Sequence, residues 1–187
     1  MNEIEILRFQ VAAEQSHAAE VGNACAAVFG AESAAAAAPE AMALFREACV
    51  SYLVWVLARF EERDQTLSEL LASRQPLAGS AAASWRHLGS LITRAGTSRE
   101  ALSRLEAALA ASGSATAHAG WGEFARFFNS AWAPRRAALD SALAEHLGVA
   151  DLRVVCAIDA DSILDERRRF GRVAAQLPAG IELRPQP

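Results

Sequence analysis

Apolar residues recur every three or four positions along most of the chain, which is the period of an amphipathic α-helix. The first such stretch predicts a helix from residue 2 to about residue 29. A second predicts a helix from about residue 39 to residue 73, and it is apolar nearly all round between Ala48 and Leu57. This second helix is therefore the expected centre of the fold, and its charged half, RFEERDQ, is expected to project into solvent.

Shorter helices are predicted between this pair and the C-terminal segment. Ser80 can cap a third helix, and the capping box from Thr97 to Glu100 begins a fourth. A fifth spans about residues 121–132, and a sixth runs from Pro134 to Gly148. The sequence thus predicts an all-α fold, a helical bundle of about six to seven helices of which four are long.

Residues 151–177 allow two interpretations. They form one long helix, or a short strand at 152–158 followed by a helix that Ser162 caps with Asp165 three residues later. The single helix is favoured because it gives one coherent apolar face. That face comprises Leu152, Val155, Ile163, Phe170, Val173 and Leu177. We expect a single domain over residues 1–177 and a surface tail over 178–187.

Composition narrows the chemistry that is open to the chain. Its 187 residues fit one domain, 44 of them are Ala, and all 18 basic residues are Arg. Because Lys is absent, there is no Schiff-base lysine, pyridoxal phosphate anchor or phosphate-loop lysine. Abundant Ala favours helix formation and close helix packing.

Charge and cysteine usage point to a cytoplasmic protein. The net charge of −4 argues against a nucleic-acid binder, which needs a basic face. The N-terminus MNEIEILRFQ has acidic residues where a signal peptide has basic ones, and the apolar run 48–60 is too short to span a bilayer. Three cysteines in apolar stretches, without a CxxC pair, indicate reduced buried thiols; they are Cys25, Cys49 and Cys156.

A candidate metal site begins in the first helix. Glu14 lies in the middle of the apolar stripe, and His17 follows one turn later at the Glu-x-x-His spacing by which a bundle helix presents two ligands to one metal. A carboxylate at a core position is costly unless it is paired or metal-bound. If the last segment is helical, Asp159 and Glu166 lie two turns apart on its apolar face and could meet this pair. Such an oxygen-rich site with one imidazole suits iron or manganese.

Two resemblances involve the same histidine. The Glu14–His17 spacing resembles one half-site of the ferritin-like di-metal carboxylate proteins, whereas Ser84 and Leu143 stand where a second half-site needs a carboxylate before His87 and His146. The segment AAEQSHAAE resembles the first-helix histidine segment of heme-oxygenase-like proteins, which implies His17 as a proximal heme ligand.

A structural interpretation of the same residues stays open. Glu14 can pair with a buried arginine, for example Arg63 or Arg153, and His17 can be a surface histidine. Tyr52, the only tyrosine, falls on the core side of its helix, so its hydroxyl is expected to have a hydrogen-bond partner.

Aromatic residues suggest a further candidate site. Trp121, Phe124, Phe128 and Trp132 follow helical spacing on the predicted fifth helix. They form part of the core, or they line an apolar ligand pocket or partner groove together with Tyr52 and Trp55. The arginine clusters at 135–136, and at 167–169 with Arg172, are solvated helix faces or contacts for an acidic partner.

No Ser-His-Asp arrangement, Gly-rich phosphate loop or zinc-ligand spacing stands out. The sequence therefore predicts a soluble, non-catalytic helical bundle that acts by binding a partner or itself. One alternative is an iron-, manganese- or heme-binding bundle with an oxidoreductase or sensor role centred on Glu14 and His17. Another is an apolar small-molecule binder with Tyr52, Trp55, Phe124, Phe128 and Trp132 in its pocket.

Overall fold

The computed structural model describes residues 2–30, 39–73 and 148–183, together with positions 103, 106–107, 119–122 and 124. The described residues form four helices with complete bounds: α1 (Glu3–Gly30), α2 (Pro39–Ser73), α3 (Val149–Cys156) and α4 (Ala160–Ala175). No strand occurs among the described residues, so the all-α class is confirmed. The predicted third to sixth helices lie outside this part of the chain, apart from isolated positions.

The bounds of α1 and α2 agree with the sequence prediction. At the start of α1, the Glu5 amide donates to Asn2 Oδ1 at 2.9 Å, and the Asn2 amide donates to Glu5 Oε2 at 2.7 Å. This reciprocal pair is the geometry of a capping box. Pro39 begins α2, where its missing N–H costs no helical hydrogen bond.

The last segment differs from both sequence interpretations, because it forms two helices. α3 ends at Cys156, and Ala157 adopts the left-handed region with φ 46 and ψ 44. Asp159 then caps α4: the Ser162 amide donates to Asp159 Oδ1 at 2.7 Å, and the Asp159 amide donates to Ser162 Oγ at 3.0 Å. The continuous helix and the strand at 152–158 are both wrong, as is Ser162 as the cap. Short polar side chains that bind the backbone locally outcompete helical continuity here.

α1 and α2 pack antiparallel and bury two apolar clusters. The large cluster joins the C-terminal half of α1 to the N-terminal half of α2, with Phe45, Leu53 and Phe124 fully buried in it. The small cluster joins Leu7 near the start of α1 to Leu67 near the end of α2. α3 closes the small cluster with Leu152, Val155 and Cys156.

A layer of buried polar residues separates the two apolar clusters. Glu14 of α1 is 4% exposed, and Arg63 and Asp64 of α2 are each 3% exposed. The expectation that RFEERDQ projects into solvent is therefore wrong for Arg63 and Asp64. The helical period of apolar residues could not reveal this, because Arg63 is held inside by a carboxylate from another helix.

The chain after α4 returns to the core. Pro178 is buried, and Ile181 and Leu183 pack against the large cluster. Residues 178–183 of the predicted tail thus contact the core, and residues 184–187 lie outside the described part.

Among the described residues, one stretch is long and apolar enough to cross a membrane by length and composition, at Glu40–Leu67 of α2. Its most apolar window is 44% buried inside the protein. This is weak evidence for a membrane span, because the central helix of a soluble protein has the same character.

Candidate functional site

The buried polar layer contains two neighbouring groups of side chains. We name the first the Glu14 cluster, which consists of Glu14, Arg59 and Arg63. We name the second the His17 cluster, which consists of His17, Tyr52 and Glu166. The Glu14 cluster joins α1 to α2 through its carboxylate and reaches α3 through its arginines. The His17 cluster joins α1 and α2 to α4 through the buried carboxylate of Glu166.

The Glu14 cluster is held by charge. Arg63 Nη1 lies 2.7 Å from Glu14 Oε2, and Arg59 Nη2 lies 3.4 Å from Glu14 Oε1. The shorter contact is an ion pair whose angles fall outside those of a hydrogen bond. Glu14 Oε2 and both Nη atoms of Arg63 are consequently buried without a hydrogen-bond partner in the described structure. The cluster therefore combines full charge neutralisation of Glu14 with incomplete hydrogen bonding, which raises the cost of burial.

The same two arginines hold the C-terminal end of α3. Arg63 Nε donates to the Cys156 carbonyl oxygen at 2.7 Å, and Arg59 Nη2 donates to the Ala157 carbonyl oxygen at 3.4 Å. The last carbonyls of a helix lack internal partners and carry partial negative charge, so guanidinium groups stabilise them. The end of α3 is thus tied directly to the pairing of Glu14.

The His17 cluster is organised around one carboxylate oxygen. His17 Nδ1 lies 2.8 Å from Glu166 Oε1, and the Tyr52 hydroxyl donates to the same oxygen at 2.8 Å. The Glu166 side chain is 6% exposed, whereas that of His17 is 30% exposed. The hydrogen bond to Glu166 raises the pKa of His17 above its ordinary value, although burial acts in the opposite direction. The protonated imidazole is therefore favoured beside this carboxylate.

Tyr52 serves as a neutral donor. Burial raises the pKa of its phenol well above the usual value, and the negative charge of Glu166 acts in the same direction. The hydroxyl consequently keeps its proton and donates a hydrogen bond to Glu166. The expectation that this hydroxyl has a partner is confirmed.

Phe170 fixes the plane of the histidine ring. The two ring centroids are 4.0 Å apart and the planes differ by 16°. Phe170 follows Glu166 by one helical turn on α4, so one face of this helix supplies both the hydrogen bond to Nδ1 and the stacking surface. Nε2 makes no hydrogen bond to the described residues.

The four predicted metal ligands have different positions. His17 and Glu166 are brought together, Glu14 is paired with two arginines, and Asp159 is an exposed cap of α4. The backbone hydrogen bond from Ser162 lowers the pKa of Asp159. Within the described residues, no group of three or more His, Cys, Asp or Glu side chains is arranged to hold a metal ion.

Three of the predicted pocket residues can be located. Tyr52 and Phe124 are buried in the large cluster, and Trp55 is half-buried with its ring centroid 6.2 Å from that of Tyr52. The guanidinium carbons of Arg59 and Arg169 each lie 5.2 Å from the Trp55 ring centroid. Phe128 and Trp132 lie outside the described residues, so the apolar pocket stays a prediction.

Sequence reasoning gave Arg63 as a partner for Glu14 but missed Arg59 and the role of Phe170 as a stacking surface. A usable signal existed for each, since Arg59 stands one turn before Arg63 and Phe170 stands one turn after Glu166. The alternative partner, Arg153, instead forms a two-point salt bridge with Glu3.

Fold and site together define an all-α protein with a buried, partly titratable polar layer. Comparisons with protein-family models, curated proteins and solved structures give no match to this chain.

Proposed function

We propose that this protein acts by binding another protein surface, either a partner or a second copy, and that it has no catalytic role of its own. The supporting observation is the outward face of α4, which has small and apolar residues along its centre and arginines along its edges from residue 167 onward. The buried polar clusters serve this function by holding α4 in place on α1 and α2.

The centre of the outward face is a seam of small and apolar residues. Leu164 is 49% exposed, and Gly171 is exposed two turns later with open space around the position of a side chain. The opposite face of the helix is the one that packs inward, with Glu166 and Val173 buried. The seam comprises Ala160, Leu164, Gly171 and Ala175, all exposed. An apolar line between charged edges is typical of helices that dock against other helices.

The edges of the seam carry arginines from residue 167 onward, whereas Asp161 and Asp165 lie beside the first half of the seam. Arg167, Arg168 and Arg172 are exposed, and none forms an ion pair with a carboxylate among the described residues. Arg169 differs, because its Nε lies 3.0 Å from Asp165 Oδ2. Guanidinium groups form two-point hydrogen bonds with carboxylates, so the edges favour an acidic protein surface.

The proposal extends to the organisation of the whole chain. We propose a single-domain bundle of about six to seven helices over residues 1–177, soluble in the cytoplasm. Buried charges on the central helix support this, since Arg63 and Asp64 are both buried and Arg63 pairs with Glu14 of α1.

Photo-crosslinking tests the binding function. A photoreactive amino acid replaces Leu164 in one variant, and replaces Leu44, which is 46% exposed on α2, in the control variant. Irradiation in the producing cells is expected to give an adduct of one defined mass from position 164 and none from position 44. Equal labelling from both positions, or no adduct from position 164, would contradict the proposal.

A second candidate function, metal or heme binding with a sensor or oxidoreductase role, is favoured by one observation. Glu166 engages Nδ1 of His17, which is how a carboxylate orients a metal-ligating histidine and leaves Nε2 for the metal. Glu14 is paired with arginines, so a centre of this kind would depend on His17 with Glu166 behind it. The sequence prediction of iron or manganese, with heme as the less favoured form, then needs oxygen ligands other than Glu14 and Asp159.

Metal content and the absorption spectrum of the purified protein test this candidate, with His17→Gln as the variant. Tyr52→Phe is the control, because it keeps the imidazole. Bound metal or heme that disappears in His17→Gln and persists in Tyr52→Phe supports the candidate. Identical content in the wild type and His17→Gln, or none after reconstitution, rejects it.

A further inference from the structure

We propose that the occupant of the outward face of α4 is a second copy of this chain, which docks through the acidic stripe of α2. The acidic stripe consists of Glu62, Gln65 and Glu69. This inference rests on the proposed binding function and specifies its partner.

The acidic stripe is an exposed, continuous face of the C-terminal half of α2. Its members are spaced by three and four residues, so they follow one another on one side of the helix. Gln65 Nε2 donates to Glu69 Oε1 at 3.1 Å, which holds the Glu69 carboxylate along the helix. Glu62 has no ion-pair partner among the described residues. The stripe therefore presents negative charge with no arginine within it.

Charge complementarity favours a second copy as the partner. α4 carries four arginines against three acidic residues, whereas the whole chain has a net charge of −4. The excess of acid thus lies outside α4. Each molecule offers both halves of one contact, the arginines beside Leu164 and the acidic stripe of α2.

A two-fold arrangement uses both faces at once. In such a dimer each copy places its acidic stripe against the arginines of the other, so the contact occurs twice and is closed. Gly171 then lies within each contact, where the open space around the position of its side chain lets the helices approach closely. Long arginine side chains at the edges reach carboxylates across that contact.

The experiment measures self-association by sedimentation, with two charge-reversed variants and their mixture. The first variant is Glu62→Arg with Glu69→Arg, and the second is Arg168→Glu with Arg172→Glu. Each variant alone places like charges together in both contacts of a dimer. Their equimolar mixture restores opposite charges in both contacts, because each reversed face meets a reversed face and each native face meets a native one.

We expect the wild type to dimerise and each variant alone to dimerise at least about tenfold more weakly. The mixture is expected to recover wild-type association, and high salt is expected to weaken it. The control is Glu40→Arg with Glu47→Arg, which makes the same charge change at the same spacing on two exposed residues of the same helix. It should leave dimerisation unchanged, and circular dichroism checks that every variant folds.

Three outcomes would overturn the inference. They are a wild type that stays monomeric at every concentration, a dimer that is insensitive to both reversals, and a mixture no stronger than its components. None of them by itself removes the proposed binding function, since an adduct of position 164 with a different protein would still support that function.

Discussion

The Glu14 and His17 clusters solve the same physical problem in different ways. Each buries one carboxylate between helices, and each holds a C-terminal helix, α3 through Arg63 and α4 through Glu166. In the Glu14 cluster the counter-charges are two guanidinium groups, which keep their charge at any physiological pH. In the His17 cluster the carboxylate has an imidazole and a neutral phenol as partners, so the balance of charge depends on the protonation of the imidazole and hence on pH.

The two clusters also differ in their exposure to solvent. Glu14 and Arg63 are almost completely shielded, whereas the His17 side chain is 30% exposed and one of its nitrogens is unengaged by the described residues. The Glu14 cluster is therefore a contact between helices whose charges do not change at physiological pH. The His17 cluster is the part of the polar layer that can exchange protons or accept a ligand.

The largest expected effect on stability comes from breaking the Glu14 cluster. Glu14→Gln should lower the free energy of unfolding by about 3–5 kcal/mol, because it leaves the buried Arg63 guanidinium without its counter-charge. Urea unfolding followed by circular dichroism measures the loss.

The double variant Glu14→Leu with Arg63→Met is the control for this prediction. An apolar pair of similar volume is often as stable as the ion pair it replaces, so the double variant should recover most of the loss. Some loss should remain, because Arg63 also binds the Cys156 carbonyl. A Glu14→Gln protein as stable as the wild type would mean that the charge of Glu14 does not stabilise the contact between the helices.

Removing a donor from the His17 cluster is expected to have a smaller effect. Tyr52→Phe should cost about 1.5–3 kcal/mol, since it removes a buried hydrogen bond to a charged group and changes nothing else in shape. It should also raise the pKa of His17 further, because Glu166 Oε1 then has the imidazole as its remaining donor. Histidine titration by NMR checks the second result, and an unchanged pKa would separate Tyr52 from the cluster.

The long helices could be predicted from sequence because their apolar period extends over many turns. α1 and α2 match their predicted bounds for this reason. The break at residues 157–159 could not be predicted in this way, because it depends on local capping by Asp159 and on arginines of α2 that hold the end of α3. At residues 157–159, local capping and contacts with α2 therefore override the helical period of apolar residues.

The candidate site was predictable in part. Glu14 stood out as a carboxylate in an apolar stripe, and a buried arginine partner followed from the cost of burying it. The pairing of His17 with Glu166 depends on how α4 lies across α1 and α2. The spacing of residues within one helix carries no information about that position. Asp159 was misplaced because the predicted continuous helix put it on the inner face.

The dependence of stability on pH separates the clusters directly. The pKa of His17 is raised in the folded protein, so its contribution is fully present below pH 6.5 and is lost as pH rises through the folded pKa. The difference in unfolding free energy between the wild type and His17→Gln should be about 1 kcal/mol just below pH 6.5, because the His17 side chain is partly exposed. It should shrink above pH 6.5, whereas the loss in Glu14→Gln should be the same across that range. A difference in unfolding free energy between the wild type and His17→Gln that stays constant with pH would contradict a contact that depends on the protonation of His17.

The smallest effect is expected where the two clusters meet, at Trp55. Arg59 belongs to the Glu14 cluster and Arg169 belongs to α4, yet both lie 5.2 Å from the same ring centroid. If the contact with the ring decided their contributions, Arg59→Gln and Arg169→Gln would be equally destabilising.

Arg169 pairs with Asp165 one turn away at a partly exposed site, so its replacement should cost at most about 1 kcal/mol. Arg59 also meets the buried Glu14 and the Ala157 carbonyl, so its replacement should cost more. Urea unfolding followed by Trp fluorescence measures both variants, and equal losses would mean that the ring, rather than the buried carboxylate, sets the strength of this part of the polar layer.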